Sequence, residues 1–199
     1  MARILYDMAL SPNGKRARLG LAECGAPYET REINLLAGEQ KTDEYKRIHP
    51  LSRIPALDDD GVVVWESGAI LQYIAEKHPE AQLLPTGLAD RAVVYTWLHF
   101  AEAQLHALMG AMGFQYLRRA PDKRDETVLA RGRKRMPQVL ASMEAQLDGK
   151  EYFAGDFSIA DCANAPWLEM APTLEIDLSP FPNVSAWLDR MRARPSWQA

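Results

Sequence analysis

The sequence predicts two structural parts, an α/β domain over residues 1–78 and an all-helical domain over residues 88–199. Short strand and helix patterns alternate in the first part, whereas strand patterns nearly vanish in the second. A connector that contains Pro79, Pro85 and Gly87 separates the two patterns. The fold class therefore changes near residue 80.

The first part contains strands and helices in the order βαβ followed by ββα. Predicted strands cover residues 3–7, 28–34, 56–58 and 62–65, and predicted helices cover residues 12–24, 42–48 and 67–77. The last two strands flank Asp59-Asp60-Gly61, whose Asp-Gly step favours a hairpin. This order predicts a small mixed sheet that is covered by helices.

The second part consists of long helical patterns. Predicted helices cover residues 90–118, 125–147, 158–170 and 183–194. Pro137 should kink or interrupt the second of them. Ser158 and Asp161 have the spacing of a capping box at the start of the third.

The composition excludes several classes of protein. Of the 199 residues, 47% are hydrophobic and 25% are charged, which is ordinary for a soluble globular protein. No apolar run approaches the ~20 residues of a membrane span, and no signal-peptide pattern is present, so we expect a cytoplasmic protein without a membrane partner. The net charge of −4 argues against nucleic acid as a partner. Cys24 and Cys162 lack metal-site spacing, so reduced thiols and no metal are expected.

Two motifs predict a binding site. Proline cannot donate to a sheet ladder, so Ile54-Pro55 before a strand suggests a cis bond that leaves the N–H and C=O of Ile54 free for a peptide-like ligand. Glu66 and Ser67 follow a strand and open a helix, where free N–H groups favour a carboxylate. Together these motifs indicate a site for a small acidic peptide. The alternative for Glu66-Ser67 is an ordinary helix cap.

These motifs resemble those of the cytosolic glutathione transferases. The resemblance covers essentially the whole chain and is carried by the following segments: Leu5-Tyr6, Ser11-Pro12-Asn13-Gly14-Lys15-Arg16-Ala17-Arg18, Asn34-Leu35, residues 50–57, residues 66–74 and residues 157–163. It implies a thioredoxin-like, glutathione-binding N-terminal domain and an all-α helical C-terminal domain that contributes the site for the second substrate. It also implies a homodimer, and we interpret the chain as a bacterial member with a serine-type active site.

The resemblance implies specific roles for five residues toward glutathione. Ile54 would pair with the cysteinyl backbone, and Glu66 with Ser67 would receive the γ-glutamyl end. Arg53 and Lys41 would lie near the glycyl carboxylate. Glutathione would be a co-substrate in this arrangement.

The catalytic group should stabilise the glutathione thiolate, because the thiolate is the reacting form. Ser11 is the main candidate, since its hydroxyl precedes a helix in a Ser-Pro-Asn-Gly setting that is similar to that of serine-type family members. An ordinary N-cap is the alternative role for Ser11. The resemblance implies Tyr6 as an alternative catalytic residue, because some classes of the family use a tyrosine at the end of the first strand. Asn13 is a further alternative, because an amide can also donate to sulfur.

The second substrate is expected to be small, electrophilic and largely apolar, which fits a role in detoxification. Candidates for its pocket are Met8, Leu10, His106, Met109, Met112, Phe114 and Tyr116, with the helical core as their alternative location. A glutathione-dependent disulfide or peroxide reductase or an isomerase is the alternative activity. The alternative outside enzymes is a catalytically silent binding protein, in which the basic residues of 118–135 would form a partner patch instead of a solvated face.

Overall fold

The structure is a computed structural model that describes residues 3–199. The chain forms two units. One unit runs to Gly87 and also includes the C-terminal segment Pro195–Ala199, and the other is Leu88–Arg194. None of the helices within the described residues is both long and apolar enough to span a membrane.

The first unit contains a four-stranded sheet. Its strands are β1 (Arg3–Asp7), β2 (Glu29–Glu32), β3 (Ala56–Asp59) and β4 (Val62–Trp65), and their spatial order is β2-β1-β3-β4. β1 pairs with β2 in parallel, whereas β1–β3 and β3–β4 are antiparallel pairs. The predicted mixed sheet is confirmed.

The second strand is shorter than the predicted range 28–34. It ends at Glu32, and shortly after it the side-chain oxygen of Asn34 accepts hydrogen bonds from the N–H groups of Leu36 at 3.1 Å and Ala37 at 3.0 Å. Such a local bond competes with the sheet ladder and turns the chain.

The hairpin turn contains two residues, and the prediction that Asp59 belongs to it was wrong. Asp59 lies in β3, where its buried carboxylate pairs with Arg3 at 3.1 Å and Lys77 at 2.5 Å. Asp60 and Gly61 form the turn and have φ values of 53° and 89°. This conformation suits a two-residue hairpin.

Three helices accompany the sheet. They are α1 (Pro12–Glu23), α2 (Asp43–Lys46) and α3 (Ser67–Lys77). Gly25 follows the end of α1 with a φ of 57°, which terminates the helix as the sequence predicts. The predicted helix 42–48 is only a short turn whose N-cap is Thr42, which accepts from the N–H of Tyr45 at 3.3 Å.

The core of the first unit covers both faces of β1. Leu5 packs with the apolar residues of α1 and α3 on one face. Tyr6 packs with Ile33, Tyr45 and Ala56 on the other. Because successive side chains point to opposite faces, both sides of β1 are fixed, and so is the loop that follows Asp7.

The second unit is helical. Its α-helices are α4 (Leu88–Phe100), α5 (Ala107–Arg118), α6 (Glu126–Gln146), α7 (Ile159–Leu168) and α8 (Pro182–Ala193). The predicted helix 90–118 is divided by a π-helical segment, Ala101–His106. Such segments insert one extra residue per turn, which sequence periodicity does not reveal.

Pro137 does not interrupt α6. The helix continues through Pro137 to Gln146, so the predicted interruption was wrong. Proline removes the bond to the carbonyl four residues earlier, which belongs to Arg133. Arg133 and Pro137 are both exposed, so water can pair with that carbonyl.

The predicted capping box at the start of α7 is confirmed. Ser158 accepts from the N–H of Ala160 at 3.3 Å, and the carboxylate of Asp161 accepts from the N–H of Ser158 at 3.0 Å. All ten residues of α7 are buried, so this helix forms the centre of the second unit.

Candidate active site

The loop between β1 and α1 presents Ser11 at the start of a helix. The N–H of Ser11 donates to the carbonyl of Met8 at 2.8 Å, and Ser11 Oγ accepts from the N–H of Gly14 at 3.0 Å. Ser11 is 9% exposed. Among residues 3–199, no group accepts the hydroxyl hydrogen of Ser11, so this hydroxyl can still donate to a ligand.

The two alternative catalytic residues lie in different surroundings. Tyr6 is buried, and its ring packs edge-on against Tyr45 with 5.9 Å between the ring centroids. This side chain is part of the core beneath the sheet. Asn13 is half-buried in the first turn of α1, close in sequence to Ser11.

The peptide bond between Ile54 and Pro55 is cis, as the sequence predicts. The hydroxyl of Tyr45 donates to the carbonyl of Arg53 at 2.7 Å and ties this turn to α2. Within the described part of the chain, the N–H and C=O of Ile54 take part in no backbone hydrogen bond. Both groups are therefore available to an extended ligand.

The junction between β4 and α3 has an unusual backbone. Glu66 has a φ of 71°, a conformation that a residue with a side chain rarely adopts. Ser67 follows as the first residue of α3, and its buried Oγ accepts from Arg16 Nη1 at 3.3 Å. Backbone strain of this kind is often found at functional sites, and the free N–H groups at the start of α3 favour an anion.

Sheet register brings these three places together. Ala56 lies opposite Trp65 in one ladder and opposite Tyr6 in the other. Ile54-Pro55, Glu66-Ser67 and the loop after β1 therefore share one end of the sheet. The exposed cations of Arg53 and Lys41 are in the same unit, on the turn before β3 and on the 3-10 turn Glu39–Lys41.

Both parts of the chain match the models of known protein domains. Residues 1–76 match the model of the glutathione S-transferase N-terminal domain, and residues 105–195 match that of the glutathione S-transferase C-terminal domain. The chain belongs to the glutathione S-transferase family. It therefore belongs to a family of enzymes, and its first unit has the thioredoxin-like fold expected from the sequence.

Individual relatives agree with this assignment. Glutathione S-transferase F10 of Arabidopsis thaliana is 36% identical over 95% of this chain and 92% of its own length. The theta class glutathione S-transferase of Xanthomonas axonopodis, solved with glutathione bound, has a TM-score of 0.92 at 26% identity and covers 99% of this chain and 95% of its own. A glutathione transferase of Burkholderia graminis, solved with two glutathione molecules per subunit, has a TM-score of 0.88 at 30% identity, with coverage of 99% and 86%.

Two buried residues next to the candidate glutathione site were missed in the sequence. Arg16 is fully buried and donates to Ser67, so it places a positive charge behind the start of α3. The sequence did contain a signal for Arg16, because this charged residue lies on the same apolar face of α1 as Leu19 and Gly20. His49 is also buried and lies 5.2 Å from Trp65 between ring centroids, but no sequence signal distinguishes it.

His49 is electrostatically linked to two predicted glutathione ligands. Burial lowers the pKa of His49, the charge of Glu66 acts to raise it, and the charge of Arg53 acts to lower it. The lowered pKa favours the neutral imidazole. Its Nδ1 accepts from the N–H of Leu51 at 3.3 Å, which shapes the turn that leads to Ile54.

The cysteines of this transferase are not reactive thiols. Neither Cys24 nor Cys162 forms a disulfide. Burial raises the pKa of the half-buried Cys24 to about 11, and Cys162 is fully buried. Thiolate chemistry at this site consequently requires a thiol that the ligand supplies.

The candidates for the second-substrate pocket divide into core and surface residues. Met109 and Met112 are fully buried in the helical unit, which is the alternative location considered for them. Leu10 and Phe114 are exposed, and the hydroxyl of Tyr116 donates to Glu175 at 2.8 Å. In the first unit, a cavity of about 500 Å³ is lined by Met8, Ala9, Leu10, Glu32, Ile33, Asn34, Leu35, Leu36 and Glu39.

Proposed function

We propose that this enzyme uses the hydroxyl of Ser11 to stabilise the thiolate of bound glutathione, which then attacks an electrophilic substrate. The observation that carries this proposal is the bonding of Ser11: Oγ accepts from the N–H of Gly14, and its hydrogen is left to donate. A hydrogen bond to a charged group contributes about 1.5–3 kcal/mol, which lowers the thiol pKa by about one to two. An unperturbed thiol has a pKa of about 8.5, so the pKa would fall to about 6.5–7.5 and a substantial fraction of the thiol would be ionised near neutral pH.

The glutathione contacts in this proposal follow the sequence-level assignment. The free backbone groups of Ile54 hold the cysteinyl part, and Ser67 with the start of α3 receives the γ-glutamyl carboxylate. Glu66 accepts from the γ-glutamyl amino group, while Arg53 and Lys41 attract the glycyl carboxylate. The buried guanidinium of Arg16 strengthens the anion site, because it donates to Ser67 Oγ.

The proposed second substrate is small and largely apolar. The 500 Å³ cavity adjoins the loop that carries Ser11 and is lined by the apolar side chains of Met8, Leu10, Leu35 and Leu36. A volume of this size matches a small organic molecule. Conjugation to an electrophilic carbon is the activity proposed here, with reduction and isomerisation as the alternatives. The serine-type active site and a bacterial origin are parts of the same proposal, and the two cysteines, which form no disulfide, support a cytoplasmic location.

Glutathione binding can be tested by Ser67→Ala. We expect this variant to bind glutathione about 10- to 100-fold more weakly, because it loses a hydrogen bond to a charged group, and to be poorly retained on immobilised glutathione. Calorimetric titration measures the affinity, and Ser179→Ala, an exposed serine of the helical unit, is the matched control. Wild-type protein that takes up glutathione and turns over a chlorinated nitroarene supports the function. Uptake without turnover would identify a silent binding protein.

We also propose that the enzyme is a homodimer. The edge strand β4 and the turn before β3 expose a set of apolar side chains: Leu51 58%, Val62 51%, Val63 40% and Trp65 38%. An exposed apolar edge strand is prone to pair with another chain unless a partner covers it. A second copy of this chain would cover that surface.

Sedimentation velocity tests this assembly. We expect a dimer for the wild type and a monomer for Val62→Lys, since a charge in a buried apolar interface has no partner. Leu117→Lys alters an exposed apolar residue of α5 and should leave the dimer intact. A monomeric wild-type protein would refute the assembly without affecting the assignment of Ser11.

A further inference from the structure

The loop that carries Ser11 is held by a partly buried ion pair that makes none of the proposed glutathione contacts. Asp7, the last residue of β1, is fully buried, and its Oδ2 pairs with Nη1 of Arg18 on α1. Burial raises the pKa of Asp7, and the adjacent Arg18 guanidinium acts to lower it. Breaking such a pair is costly, because it leaves a charge buried without its partner.

Arg18 reaches three separate parts of the chain. Besides Asp7, it donates from Nη2 to the carbonyl of Ala9 at 2.9 Å and from Nε to the carbonyl of Ala199 at 3.2 Å. The guanidinium is planar and presents its donors in a fixed fork. One side chain of α1 thereby fixes the end of β1, the middle of the loop and the C-terminal segment relative to one another.

The other oxygen of Asp7 lies against the first turn of α1. Asp7 Oδ1 has no hydrogen-bond partner within the described residues, and a Cβ placed on Gly14 would lie 1.8 Å from it. Gly14 in turn donates its N–H to Ser11 Oγ at 3.0 Å. The Asp7 carboxylate therefore touches the residue whose N–H holds the hydroxyl of Ser11.

We propose that Asp7 and Arg18 are positioning residues that fix the hydroxyl of Ser11 for the glutathione thiolate. The pair acts through the backbone of Ala9 and Gly14 and touches no substrate. This inference rests on the proposed role of Ser11. A positioning role gives a reason for an ion pair at this end of β1. A displacement of about 1 Å at a reacting group can reduce the rate about 100-fold, so the position of the Ser11 hydroxyl matters.

Arg18→Lys tests the proposal. Lysine keeps a positive charge beside Asp7 but lacks the planar fork, so the contacts to Ala9 and Ala199 are lost. We expect kcat to fall about tenfold and the thiol pKa of bound glutathione to rise by about one, while the KM for glutathione stays within about twofold. Ultraviolet absorbance of the thiolate against pH measures that pKa.

The matched control is Arg3→Lys. Arg3 is an arginine of the same unit that also pairs with a buried aspartate. It contacts Asp59 at 3.1 Å and the carbonyl of Pro27 at 3.3 Å, at the start of β1 instead of its end. This variant should lower the melting temperature as Arg18→Lys does and leave kcat and the thiol pKa unchanged. Equal kinetic effects, or none, in the two variants would reduce the Asp7–Arg18 pair to a purely structural role and overturn the proposal.

A double-mutant cycle separates this inference from the proposed function. If Arg18 acts through Ser11, Arg18→Lys will not change the thiol pKa further in a Ser11→Ala background. A full additional change there would overturn the positioning role, whereas a Ser11→Ala variant with an unchanged thiol pKa would overturn the role of Ser11 itself. Should Arg18→Lys fail to fold, as judged by circular dichroism, the double variant Asp7→Asn/Arg18→Gln removes both charges of the pair and should give the same rise in thiol pKa.

Discussion

Ser11→Ala is expected to reduce turnover of a chlorinated nitroarene about 10- to 100-fold at pH 7, with retention on immobilised glutathione unchanged. The reason is the loss of one hydrogen bond to a charged sulfur, about 1.5–3 kcal/mol. Binding persists because the proposed contacts of Ile54 and Ser67 do not involve this hydroxyl. Steady-state kinetics and a glutathione affinity column provide the measurement.

Tyr6→Phe and Asn13→Ala are the controls for this result. The phenol of Tyr6 belongs to a buried aromatic pair beneath the sheet, so its removal should leave turnover within about twofold. Asn13 lies in the same helical turn as Ser11, so its variant shares the loop but keeps the hydroxyl. Full activity of Ser11→Ala together with a large loss in either control would move the catalytic role to that residue.

Asp161→Ala is expected to destabilise the protein by about 3 kcal/mol or more at pH 7. The buried carboxylate of Asp161 accepts from the N–H of Ser158 at 3.0 Å, the N–H of Phe153 at 3.2 Å and Nε1 of Trp187 at 2.8 Å. Alanine leaves these three buried donors unpaired, at about 1–3 kcal/mol each, and relief from burying a carboxylate offsets part of that cost. Such a loss is a large share of a typical stability of about 5–15 kcal/mol.

A second helix cap in the same unit provides the comparison. Asp125 caps α6 by accepting from the N–H of Thr127 at 2.9 Å, but it is exposed. Asp125→Ala should therefore cost only about 1 kcal/mol in urea denaturation. Similar losses in the two variants would contradict the view that the buried donors make Asp161 important.

The loss of folding stability caused by Asp161→Ala should also depend on pH in a defined direction. Burial raises the pKa of Asp161 from 3.8 to about 6, so the folded state binds this proton more tightly than the unfolded state. The stability that comes from this tighter proton binding is fully present below pH 3.8 and is lost as the pH rises through about 6. The stability difference between wild type and variant should consequently be larger at pH 4 than at pH 7.

Much of the fold followed from local signals in the sequence. The ends of β1 and α3 and the capping box of Ser158 agree with prediction because turn residues and apolar periodicity define them locally. The π-helical segment Ala101–His106 and the unbroken α6 at Pro137 could not be predicted. Both depend on tertiary packing and solvent exposure, which override local preference.

The candidate site was predictable where the backbone determines it. The cis bond at Ile54-Pro55 and the helix starts at Ser11 and Ser67 follow from proline chemistry and capping preferences. His49 and the contacts of Arg18 were missed, because their importance arises from neighbours that are distant in sequence. Arg18 meets Ala199 across 181 positions, a contact that no local pattern encodes.

The most direct test of the account is the pKa of the glutathione thiol in the complex with the wild-type enzyme and with Ser11→Ala, measured by ultraviolet titration of the thiolate. The account predicts a thiol pKa about one to two below the ordinary value of about 8.5 in the wild type and a return toward that value in the variant. An ordinary thiol pKa in the wild-type complex, or a lowered one that survives the removal of Ser11, would contradict it.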